Sequence, residues 1–109
     1  MEPNLILHRE QLASLCRRHR VARLEVFGSA ANGKFDPLSS DYDFIVCFAA
    51  DPAASLARRF VALGDALERL LGRRVDLMTD HPIDNPYLRA AVDATRTTLH
   101  DESPSEAPV

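Results

Sequence analysis

Cysteine is scarce in this chain of 109 residues: Cys16 and Cys47 are the whole supply, and neither number nor spacing makes a disulfide or metal-ligand framework. Both lie in apolar runs, where a packed, reduced thiol is expected. No stretch is long or apolar enough to span a membrane, and the start Met1-Glu2-Pro3-Asn4 is not a signal peptide, so a cytoplasmic protein is expected. A basic excess is also missing. Lys and Arg number 13 against 16 Asp and Glu, a net charge of -3, which argues against a general nucleic-acid binder and against direct nucleic-acid contact. The four histidines, His8, His19, His81 and His100, have no ligand spacing and read as surface or cap residues. There are no internal repeats.

What is present is enough for one core: 46% of the residues are hydrophobic, and the length is that of a single domain, placed at residues 1–100. The acidic, proline-bearing segment 101–109 is expected to be a disordered tail. An amphipathic helix should begin near His8, and Val21 to Phe27 alternates like a strand with one covered face, ending at Gly28. Ser55 can cap a helix whose apolar positions Leu56, Phe60, Leu63, Leu67, Leu70 and Leu71 recur at three- and four-residue spacing, with Gly72 as its stop. Arg73 to Met78 reads as a strand, about Tyr87 to Ala94 as a helix, and Thr97 to His100 as a short edge strand. Strands alternating with helices imply a layered α/β or α+β domain, its sheet covered mainly on one side. Three arginine-rich patches, Arg17-Arg18-His19-Arg20, Arg58-Arg59 and Arg73-Arg74, could each meet a phosphate or an acidic partner or simply form solvated helix faces and ends.

The chemistry concentrates in Gly28-Ser29-Ala30-Ala31-Asn32-Gly33 and in Ser40-Asp41-Tyr42-Asp43, which opens the apolar run Phe44 to Phe48. The period of a strand puts Asp41 and Asp43 on one face and Tyr42 on the other. Like charges that close raise a pKa unless a cation or water intervenes, and a divalent metal resolves the conflict economically. Asp76 is a third carboxylate, held between Val75 and Leu77, where an unpaired buried charge would cost on the order of several kcal/mol. If its strand lies beside the Asp41 strand, three carboxylates converge on one sheet edge. Such an edge suits Mg²⁺, and two ions about 3.5–4 Å apart would clamp the attacking and leaving oxygens of a phosphoryl or nucleotidyl transfer. The Gly28-Ser29 turn, lacking bulky side chains, would let backbone N–H groups and the Ser29 hydroxyl approach a phosphate. The plain alternative has Asp41 starting a strand, Asp43 pairing with a nearby arginine, and Asp76 pairing with Arg73 or Arg74.

Taken in order, Gly28-Ser29, Ser40-Asp41-Tyr42-Asp43 and Asp76 resemble the minimal nucleotidyltransferase family of the polymerase-beta superfamily, over roughly Val21 to His100. The resemblance implies an α+β, polymerase-beta-type fold with a mixed sheet covered by helices. It implies that Gly28 and Ser29 bind the triphosphate of ATP, that Asp41 and Asp43 bind two Mg²⁺ ions, and that Asp76 completes the metal site on the acceptor side. Small members look like antitoxins that transfer AMP to a tyrosine of a HEPN-type RNase toxin, with which they form a hetero-oligomer. The acceptor then lies in the partner, so neither Tyr42 nor Tyr87 is implied. Two other roles fit less closely: an antitoxin acting by binding alone, and a transferase for a small molecule such as an aminoglycoside. Two departures stand out. Ala30 replaces the family's usual basic residue, leaving Lys34 as the nearest cation. The spacer to Asp41 is one residue longer than in many relatives, which an insertion around Phe35-Asp36-Pro37 would absorb.

Overall fold

Pro3, with no N–H to lose, starts helix α1 (Pro3–Leu7), and the Glu2 carboxylate accepts from the Leu5 N–H at 3.2 Å to cap it. The computed structural model to which these elements belong describes residues 1–34, 36, 40–51, 55–79 and 84–102. Expectations that fell on Phe35, Pro37, His81 and the tail from Ser103 lie outside the described residues. After a break at His8 comes α2 (Arg9–Arg18), the expected amphipathic helix, which buries Leu12, Leu15 and Cys16. Arg20, at φ 55, turns the chain into β1 (Val21–Phe27). A single turn, α3 (Ser29–Asn32), leads on toward β2 (Tyr42–Phe48).

The Ser55 side chain caps α4 (Leu56–Leu71) at the Arg58 N–H, and Gly72 ends it in the left-handed region. Leu63, Leu67 and Leu71, one turn apart, are buried on its inner face. β3 (Val75–Thr79), α5 (Pro86–Thr95) and β4 (Thr97–Asp101) follow, α5 capped by the Asn85 side chain at the Tyr87 and Leu88 N–H groups. The strands pair in the order β3-β2-β1-β4. β2 and β3 are parallel, which requires a crossover such as α4, whereas β1 pairs antiparallel with both β2 and β4. The sheet is therefore mixed, as expected. Leu24 and Val26 of β1 and Phe44 and Val46 of β2 pack in one cluster with α2 and α4.

Three positions differ from the sequence reading. Glu25 is not on a solvated face: it is 6% exposed and gripped by Arg96 Nη2 at 2.7 Å and Nε at 2.8 Å, with Arg23 Nε at 3.1 Å. The face opposite the main cluster is thus partly closed by α5, and Ile45 and Val92 are buried apart from that cluster. The His100 side chain is 9% exposed rather than superficial. β4 also runs one residue past 100, ending at Asp101, and the Glu102 N–H donates to the Ala22 carbonyl at 2.6 Å. Cys16 is a buried free thiol, its pKa pushed up to about 12 chiefly by burial, as a packed cysteine should be. Among the described residues no helix is long and apolar enough to cross a membrane.

Candidate active site

Register brings the site together. Asp43, second residue of β2, pairs across the antiparallel ladder with Phe27, the last residue of β1, and across the parallel ladder with Asp76. The end of β1, and with it Gly28, is therefore set against the Asp43 carboxylate. A Cβ on Gly28 would stand 3.0 Å from Asp43 Oδ2, and the residue holds φ 74, ψ -149, backbone that is open almost only to glycine. The backbone angle favours glycine by itself, and the close carboxylate adds to that preference.

The charges that act on Asp43 are all negative. Its pKa is raised to about 6, first by burial, then by the Asp76 charge and a hydrogen bond with Asp76, and last by Asp41. That pattern contradicts a structural ion pair with arginine, which would pull the value down. Asp76 itself is exposed, on edge strand β3. The expectation that burial makes Asp76 need a partner is therefore corrected: an edge strand leaves its carboxylate in water, and what Asp76 does is press on Asp43. Asp41 lies just before β2, while Tyr42 points into the core, 1% exposed, as strand alternation requires. Among the described residues no group of three His, Cys, Asp or Glu side chains is arranged to hold a metal ion. The donor chemistry nonetheless fits a hard divalent cation: carboxylates only, with one of them held up in pKa by its neighbours.

Supports from outside the motif fix this geometry. The Tyr42 hydroxyl donates to Glu2 Oε2 at 2.7 Å and accepts from Asn4 Nδ2 at 3.1 Å, which ties the start of β2 to the N-terminal helix. Arg73 Nη1 donates to the Ser40 carbonyl at 2.8 Å, steadying the residue before Asp41. The Gly28 N–H donates to Thr95 Oγ1 at 2.8 Å. That N–H is consequently spoken for and is not a free donor at the turn. Ala30 is 1% exposed, its side chain packed in the core, so position 30 supplies no cation to the turn. Sequence reasoning missed Thr95 and the Glu25 to Arg96 pair, since both join residues about seventy positions apart and carry no local signature.

Comparison with known proteins agrees with this fold. The family model described as Nucleotidyltransferase domain matches residues 8–97. Two proteins of Methanocaldococcus jannaschii, each named "Putative protein adenylyltransferase", are 33% identical to the chain. The first aligns over 76 residues, 70% of this chain and 74% of its own length. A solved structure described as a "putative minimal nucleotidyltransferase" superposes with TM-score 0.67 at 37% identity, covering 89% of this chain and 95% of that one. A toxin-antitoxin crystal structure with AMP-PNP shares the fold, with TM-score 0.61 and 21% identity over 85% of this chain and 73% of that one. So does a complex of a tri-AMPylated Shewanella oneidensis HEPN toxin with an MNT antitoxin, with TM-score 0.58 and 20% identity over 89% and 72%. The chain belongs to the nucleotidyltransferase domain family and is a nucleotidyltransferase of the minimal kind.

Proposed function

We propose that this nucleotidyltransferase is an antitoxin that transfers AMP from ATP to a tyrosine hydroxyl of a HEPN-type RNase toxin and thereby silences it. The observation that carries the reading is the registered Asp43 and Asp76 pair beside the side-chain-free Gly28 turn. Asp41, Asp43 and Asp76 would hold two Mg²⁺ ions, which when bound neutralise the charge that develops on the transferring phosphoryl group. The Ser29 and Ala30 N–H groups and the Ser29 hydroxyl receive the triphosphate oxygens. The acceptor oxygen attacks the α-phosphorus in line and forms the new P–O bond as the bond to pyrophosphate breaks. Its proton passes to the exposed Asp76 carboxylate and on to water. Support from relatives is of two kinds: adenylyltransferase names at 33% identity, and a neighbour of the same fold whose toxin partner carries AMP.

The transfer is tested by labelling. With ATP labelled at the α-phosphate the partner toxin should become labelled, and with ATP labelled at the γ-phosphate it should not. Label from the γ position would show phosphorylation and overturn the reading. A second reading, neutralisation by binding alone, is favoured by one observation: the buried Ala30 leaves the turn without the basic side chain usual in the family. Asp43→Asn separates the two, because a binding antitoxin would still silence its toxin.

A further inference from the structure

The net charge of -3 averages over the chain and hides a local excess that the fold creates. Two arginine runs, separate in sequence, meet where α2 enters β1 and where β2 leaves toward α4. Two adjoining open hollows form there, of about 310 and 390 Å³, and they share Arg18 and Arg20. Arg58 and Arg59 complete the first and Arg17 the second. The carboxylates among the lining residues are Asp51 and Glu102. Asp51 is engaged by Arg20 at 3.5 Å.

Part of this cluster is scaffold. Arg59 Nη2 donates to the Arg20 and Ala49 carbonyls at 2.8 and 3.0 Å, and its guanidinium lies 4.6 Å from the Phe48 ring centre. Arg59 thereby clamps the start of α4 to the entry of β1 and the exit of β2 and fixes the spacing of the rest. Arg17, Arg18 and Arg58 are exposed and, among the described residues, have no ion-pair partner. The Arg18 charge also helps lower the His19 pKa, after the larger effect of burial, so the positive field is felt within the cluster itself. Like charges held together by a rigid clamp are stabilised by an anion that bridges them.

The position excludes the nucleotide site. The hollows lie at the first residues of β1 and the last of β2, whereas Gly28 and Asp43 lie at the opposite ends of the same strands. Seven residues of strand separate the two, about 20 Å at the usual rise. The lining also says what kind of ligand fits. Beyond its charged groups it offers three alanines and the buried Val21, with no large apolar side chain to anchor a protein interface. Polar, strongly positive surfaces built on arginine suit phosphates, which the guanidinium fork can grip in bidentate fashion. We propose that this arginine cluster is a docking site for the phosphate backbone of a nucleic acid, independent of the transfer site at the other end of the sheet, and a short single-stranded RNA is the probe.

The test is fluorescence anisotropy of a short labelled single-stranded RNA with the full chain, titrated between about 50 and 200 mM salt. Binding should weaken steeply with salt. The double variant Arg18→Gln, Arg58→Gln should bind about tenfold more weakly, with the logarithmic salt slope reduced by about 1.4 for two lost phosphate contacts. Arg18→Lys, Arg58→Lys should keep the salt slope, because the charges remain, while losing part of the affinity that the guanidinium fork supplies, and Asp43→Asn should leave binding unchanged. Absence of binding at low salt, or binding indifferent to the arginine substitutions, overturns the proposal, as does loss on Asp43→Asn, which would place the RNA in the transfer site. Equal affinity for polyglutamate also overturns it, in favour of an acidic protein partner.

Discussion

At the scale of single residues, Asp43 is the most consequential side chain. Its pKa, raised to about 6 by burial and by Asp76 and Asp41, sits above that of the unfolded chain. Between the two values the folded state binds more protons than the unfolded, so stability falls as pH rises from about 4 to about 6 and stays lower above that. Discounted for partial solvent access, the cost is about 1–2 kcal/mol. Asp43→Asn should therefore raise the melting temperature of the metal-free protein above pH 6 and leave it nearly unchanged at pH 4, as calorimetry would show. Added Mg²⁺ should stabilise the wild type above pH 6 and the variant far less. A melting temperature lowered by the substitution at neutral pH would mean that Asp43 has a favourable partner. Gly28→Ala meets both a strained backbone and a carboxylate 3.0 Å away, so a loss of about 1–3 kcal/mol in urea unfolding and of most transfer activity is expected. Thr95→Val removes the acceptor of the Gly28 N–H. It should raise KM for ATP more than it lowers kcat, and Thr95→Ser should restore the wild-type value; equal behaviour of the two variants would remove Thr95 from the account.

Among the elements, the β1 to α5 connection decides how firmly the open face of the sheet is closed. Glu25 is held below its usual pKa first by its hydrogen bonds to Arg96, with the Arg96 and Arg23 charges adding to the effect. A lowered acid pKa contributes stability that is present above the unfolded value and is lost as pH falls through the folded one. Arg96→Gln leaves a carboxylate only 6% exposed without its main partner, a loss of about 3 kcal/mol at neutral pH that should shrink below pH 4. Urea unfolding at the two pH values measures both. The elements themselves were largely legible in the sequence, because caps and breakers are local: Ser55 and Gly72 bracket α4, and the alternation of Val21 to Phe27 coincides with β1. The burial of Glu25 was not legible because a buried carboxylate in a strand looks like a solvated one until Arg96, just past the end of α5, closes on it. Asp76 was misread in the opposite sense, since whether a strand is central or an edge is a property of sheet order rather than of the strand.

On the scale of the whole molecule, one sheet has two ends of opposite character. At one end the register of β1, β2 and β3 aligns Gly28, Asp43 and Asp76, and at the other the arginines of α2 and α4 converge. The order Gly-Ser, Asp-x-Asp, Asp was readable because each member lies next to a strand end whose position the local pattern fixes. The convergence of the arginine runs was not, because it depends on how two helices seat against the sheet. The measurement that bears most directly on the central claim is the intact mass of the partner toxin after incubation with this chain, Mg²⁺ and ATP, beside the Asp43→Asn and Asp76→Asn variants. Whole AMP increments that appear with the wild type and vanish with both variants are the expected result. A toxin silenced in a stable complex at unchanged mass would contradict it.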